Sequence, residues 1–172
     1  MKLTELRNEH EVILKVFDHV ENQLAKCRDD ALFDRIVSDF LLFATLFIDD
    51  NHHGKEEGFL FPKLLANAFF QDIPHVLSEE HIYGRHLVVK IKEALGDRVV
   101  QSREIANYTD FMRHHIRLEN EMVFDAIESG LDDSIASALS AEFARVESDV
   151  IRSAGPAVWE RLIQNQMVEI EK

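Results

Sequence analysis

The sequence predicts an all-α fold: an up-down-up-down four-helix bundle with one or two additional C-terminal helices. Three observations predict it. Six glycines and three prolines in 172 residues are too few for the many turns of an all-β chain. Apolar residues recur at helical spacing through long stretches, and short polar or Gly/Pro breaks separate those stretches. With 46% hydrophobic residues the chain can bury one core without disulfides. It reads as a single domain over 1–172, with the bundle at about 1–130 and a helical extension at about 131–172.

The elements follow in order. Leu6, Ile13, Leu14, Phe17, Val20 and Leu24 form a stripe that predicts a first helix from Thr4, its expected N-cap, to Arg28. The Asp29-Asp30 turn opens a second helix rich in Phe and Leu, ending near Ala66, with Pro62 expected to kink or shorten its last turns. Pro74 starts a third helix that runs through His81, Leu87 and Ile91 to Leu95, where Gly96 ends it. A fourth runs from Ser102 to about Glu128. Asp132 and Asp133 open a fifth, to about Ser153, and the Gly155-Pro156 break precedes a short last helix through Trp159 and Leu162.

Charge narrows the function. Acidic residues exceed basic ones by 32 to 19, a formal net charge of −13 that repels nucleic-acid phosphate and anionic lipid, so neither nucleic acid nor membrane is expected as a partner. The acidic N-terminal segment is unlike a secretory signal, which points to a cytoplasmic protein. The lone Cys27 supports neither an internal disulfide nor a thiolate metal cluster.

The informative motif is a repeated string. His52-His53-Gly54-Lys55-Glu56-Glu57 on the second helix and His114-His115-Ile116-Arg117-Leu118-Glu119 on the fourth both read HHxxxE. In each, the second His and the Glu are four apart, so on an α-helix they share a face and can reach one metal centre. One such pair alone is more often a surface ion pair. Counting residues from each turn, however, places His10, His53, Glu57, His81, His115 and Glu119 at one level of an antiparallel bundle. Buried carboxylates in such a layer need cations. These six are the candidate metal ligands.

Neighbouring polar residues fall outside this set on α-helical geometry. His52 and His114 precede a ligand by one position, a rotation of roughly 100° off the metal face, and His86 is turned by roughly 140° from His81. Glu56, Arg85 and Tyr83 read as a solvated face, with a gate, an ion pair or a hydrogen bond to the site as the functional alternatives. Gly54, Gly58 and Gly84 read as slack or as ligand access, and Phe61, Phe111, Met112 and Met122 as core or as the lining of a dry pocket.

On these strings the sequence resembles the hemerythrin-like, or HHE cation-binding, family: Glu9-His10, HHGKEEGFLFP, the EEHIYGR segment from Glu79 to Arg85, and HHIRLE. The resemblance implies a non-haem di-iron centre, two iron ions with an oxo or hydroxo bridge, rather than manganese or zinc. It implies His10, His53, His81 and His115 as terminal ligands and Glu57 and Glu119 as bridging carboxylates. Arg85 stands where oxygen-carrying hemerythrins have a second third-helix His. The expected four-His, two-Glu set would therefore have two equivalent halves, each with an open position.

That symmetry implies reaction with a small oxidant, such as oxygen, peroxide or nitric oxide, in oxidative or nitrosative stress handling. It implies a redox partner protein as well. Whether the protein turns over a substrate or only binds, senses or stores oxygen, nitric oxide or iron is left open. The C-terminal helices are expected either to cap the bundle or to form a homodimer surface.

Overall fold

The computed structural model of the chain describes residues 3–130 and 132–167. Helix α1 spans Thr4–Lys26. Helix α2 is composite, with α-helical Asp30–Phe43, π-helical Ala44–His53 and Glu56–Leu60, and α-helical Phe61–Leu65. Helix α3 spans Ile73–Glu93. Helix α4 comprises α-helical Arg98–Leu118, π-helical Glu119–Val123 and α-helical Phe124–Gly130. Helices α5, Asp133–Ala154, and α6, Pro156–Met167, are the last of the described elements. Among the described residues no helix is long and apolar enough to cross a membrane.

Local chemistry sets the boundaries. The Asp29 carboxylate caps α2 by accepting from Leu32 N at 2.7 Å, and Asp97 caps α4 by accepting from Val99 N and Val100 N at 3.1 Å. Gly155, at φ 90°, ends α5 in a conformation that favours glycine, and Pro156 then starts α6. Thr4 is the first helical residue rather than the cap, and Leu3 precedes it. Pro62, which lacks an N–H, lies in the first turn of the last α-helical piece of α2, which follows directly after a π-helical segment.

The helices bury two apolar clusters with a polar layer between them. One contains Ile13, Phe17, Phe40, Ile48, Leu87, Tyr108 and Met112, and the other Leu6, Leu60, Leu77, Val123 and Phe124. Each of the four bundle helices therefore passes from one apolar cluster through the layer to the other. The C-terminal helices cap the bundle: Leu139 and Phe143 of α5 join the second cluster, and Trp159 and Leu162 of α6 join the first. The Trp159 ring stacks on Phe47 at 5.5 Å.

Candidate metal centre

The polar layer holds buried donors from all four bundle helices. His53, His81 and His115 form one group of nitrogen donors, and His10, His52, Glu56 and Glu119 form a second, each with donor atoms within 4.8 Å of one another. All seven residues are buried. The two groups meet at the carboxylates. Glu119 Oε2 lies 3.2 Å from His10 Nε2 and 3.4 Å from His115 Nε2, while Glu56 lies 3.4 Å from His81 Nε2 and 3.8 Å from His52 Nε2.

The structure brings His10, His53, His81, His115 and Glu119 into this layer, and it does not bring Glu57. Glu56 occupies that place. Glu57 is turned outward, its side chain 35% exposed, and His52, expected off the face, is buried beside His10. The cause is the helix type. An i→i+5 bonding pattern widens each turn, so residues of Ala44–His53 rotate by less than the α-helical 100° per step. His52 and His53 then both fall on the inward arc, and the pair four apart that enters the layer is His52/Glu56 rather than His53/Glu57. The two halves are consequently unequal, with three imidazoles in one and two in the other. The signal was present in the sequence, since Glu56 sits four after His52 just as Glu57 sits four after His53. Ideal α-helical geometry selects His53/Glu57, whereas the pair that the structure places in the layer is His52/Glu56. His114 and His86 are exposed.

A ring of hydrogen bonds fixes four of the five imidazoles, His10, His52, His81 and His115. Glu9 of α1 accepts from His52 Nδ1 of α2 at 2.8 Å, and Glu57 of α2 accepts from His81 Nδ1 of α3 at 2.8 Å. Glu80 of α3 accepts from His115 Nδ1 of α4 at 2.6 Å, and Asn120 of α4 accepts from His10 Nδ1 of α1 at 3.0 Å. Each acceptor is a sequence neighbour of a donor in the layer and serves a histidine on the next helix, so the ring closes around the bundle. In every case the Nδ1–H is used outward and the Nε2 lone pair is left facing in, the tautomer a metal ligand needs. Arg85 donates to both Glu57, at 2.8 Å, and Asp49, at 2.7 Å, and Asp49 lies 3.5 Å from His53 Nδ1.

Electrostatics separate the two shells. Burial raises the Glu9 carboxyl, but hydrogen bonds from His52 and Lys55 and the Lys55 charge bring it down to about 2. Burial and the adjacent His10 push His52 down to about 4, and burial among His81, His52 and His115 holds His53 well below its usual range, so both are neutral. Burial and the facing Glu119 carboxylate hold Glu56 well above the usual range.

Two observations test whether a cation fits. The Nε2 atoms of His81 and His115, both ring nitrogens of His53, and all four carboxylate oxygens of Glu56 and Glu119 are buried without a hydrogen-bond partner. Orphaned atoms on this scale are costly and normally satisfied. In addition, His10 Nε2 and His52 Nε2 face each other at 2.9 Å while both Nδ1 atoms donate elsewhere, which opposes two lone pairs. Metal cations relieve both problems, and the donor set of imidazole and carboxylate suits iron.

Comparison with known proteins agrees with this chemistry. A family model described as Hemerythrin HHE cation binding domain matches residues 1–127. No curated protein and no solved structure matches the chain.

Proposed function

From the premise that this chain belongs to the hemerythrin HHE cation-binding family, we propose that its polar layer holds a non-haem di-iron centre that binds one small oxidant. The observation that carries this reading is the unequal division of imidazoles. His53, His81 and His115 would serve one iron, His10 and His52 the other, with Glu56 and Glu119 shared between them. The His10/His52 side is one nitrogen donor poorer, so a position for an added ligand belongs there. Two iron ions held in this way supply reversible electron exchange with oxygen, peroxide or nitric oxide, chemistry that no side chain of the layer supplies by itself.

The chain's own residues do the rest. The ring of Glu9, Glu57, Glu80 and Asn120 orients four of the imidazoles, and the apolar clusters on either side exclude water, which strengthens each interaction inside. A cleft of about 220 Å³ lined by Thr45, Asp49, Gly84, Arg85 and Val88 abuts His53, on the three-imidazole side of the layer. That is below the size of ordinary organic-ligand pockets and suits a diatomic or peroxide. The three-to-two division favours binding over turnover, because two equally open sites are what oxidant turnover would use. This weighting departs from the symmetric set that the sequence predicts.

Anaerobic loading with Fe²⁺ followed by air tests the reading. The expected result is about two irons per chain and oxo-bridged ferric absorption that changes on adding peroxide or nitric oxide. Folded, iron-reconstituted protein without such absorption overturns the di-iron reading. Repeated turnover of peroxide or nitric oxide overturns the preference for binding.

A further inference from the structure

Helix α5 lies beyond the residues that the family model matches, yet it rests on both π-helical segments of α2. Three consecutive residues contribute to the contact. The Arg145 guanidinium sits 5.5 Å over the Phe59 ring. Val146 Cγ1 lies 3.6 Å from the place a Cβ on Gly54 would occupy. Glu147 Oε2 lies 3.5 Å from Lys55 Nζ. Lys55 is fully buried and also pairs with Glu5, at 3.0 Å, and with Glu9, the carboxylate that orients His52. Every one of these contacts falls on the stretch from Gly54 to Phe59, within or next to the donors His53 and Glu56.

A π-helical stretch has poorer bonding than an α-helix and persists where its surroundings demand it. Its relaxation to α-helix would rotate the residues that follow. The string HHGKEE has a complete His-and-Glu pair in each register, His52/Glu56 in the π-widened one and His53/Glu57 in the α-helical one. We propose that α5 selects between them: by covering Gly54 and Lys55 it holds α2 in the register that sends His52, His53 and Glu56 inward and Glu57 outward. Arg145, Val146 and Glu147 are thus positioning residues for the metal layer. This inference rests on the cation-binding reading of that layer.

Its test compares registers directly, with Co²⁺ as the probe because its visible bands report ligand geometry. In the wild-type background Glu56→Gln weakens Co²⁺ binding at least tenfold more than Glu57→Gln does. Gly54→Leu wedges α5 off the π segment, and the gap between the two Gln variants is expected to close or invert in that background, with altered Co²⁺ bands. Glu147→Gln, at a half-buried position, removes the attraction to Lys55 without adding bulk; it is expected to narrow the same gap and covers the case in which Gly54→Leu does not fold. Helical circular dichroism and a cooperative melt establish folding of each variant. If folded variants keep the wild-type gap and spectrum, α5 is a cover only and the inference fails. If wild-type protein binds no Co²⁺, the cation reading fails instead.

Discussion

At the scale of single residues, two adjacent glutamates carry opposite assignments. Glu56 is buried with neither carboxylate oxygen partnered, whereas Glu57 is half-buried and bonded to His81 and Arg85. The first is built for a cation and the second for holding an imidazole. Glu56→Gln removes a shared carboxylate and is expected to abolish binding of one of the two ions. Glu57→Gln keeps an oxygen that His81 Nδ1 can donate to, and is expected to lower affinity by less than about tenfold, at the mild end of outer-shell effects. Iron stoichiometry and affinity measured on both variants check this, and equal losses would return Glu57 to the layer. The same logic makes the other ring acceptors worth more than their exposure suggests, since Glu80 fixes His115 through one 2.6 Å hydrogen bond.

At the scale of the element, the sequence made most helices legible and concealed one property. The stripes of α1 and α3, the Asp29-Asp30 turn and the Gly155-Pro156 break follow from periodicity and backbone chemistry, and each element forms within a few residues of its predicted span, although α4 starts at Arg98 under an Asp97 cap rather than at Ser102. The level of the layer was legible too, because turn positions fix it. The π-helical register of Ala44–His53 was not, since helix periodicity assumes 3.6 residues per turn and no residue type marks a π segment. A single change of phase therefore exchanged Glu57 for Glu56 and added His52. The segment should also show in dynamics. Its wider turns hold poorer hydrogen bonds, and the inward donors are unsatisfied until a cation joins them. Amide hydrogen exchange in metal-free protein is expected to be faster over 44–60 than over 30–43, and to slow selectively in 44–60 after metal loading. Uniform protection along α2 in both states would remove the π segment as a locally labile element.

At the scale of the whole molecule, two apolar clusters are tied together through a layer that is repulsive until it is loaded. The layer sets Glu56 against Glu119 and His10 Nε2 against His52 Nε2, so the metal-free fold bears a cost that cation binding converts into stability. At a free metal concentration about a thousandfold above the dissociation constant, binding adds about 4 kcal/mol. For a domain of this size each kcal/mol moves the melting temperature by about 2–4 °C, so chelation is expected to lower it by about 8–16 °C. The pH dependence has a definite sign. Burial and Glu119 raise the Glu56 pKa above its unfolded value of 4.5, so the contribution of Glu56 to the metal-free fold is present at low pH and is lost as pH rises toward the folded value. The loaded protein has already expelled that proton and does not suffer the loss. The gap in melting temperature between loaded and chelated protein is therefore expected to widen from pH 5 to pH 8. Paired thermal melts across that range measure it. A gap that stays constant or narrows would mean that the Glu56 carboxyl does not hold a proton in the metal-free state, and that the layer is hydrated rather than dry.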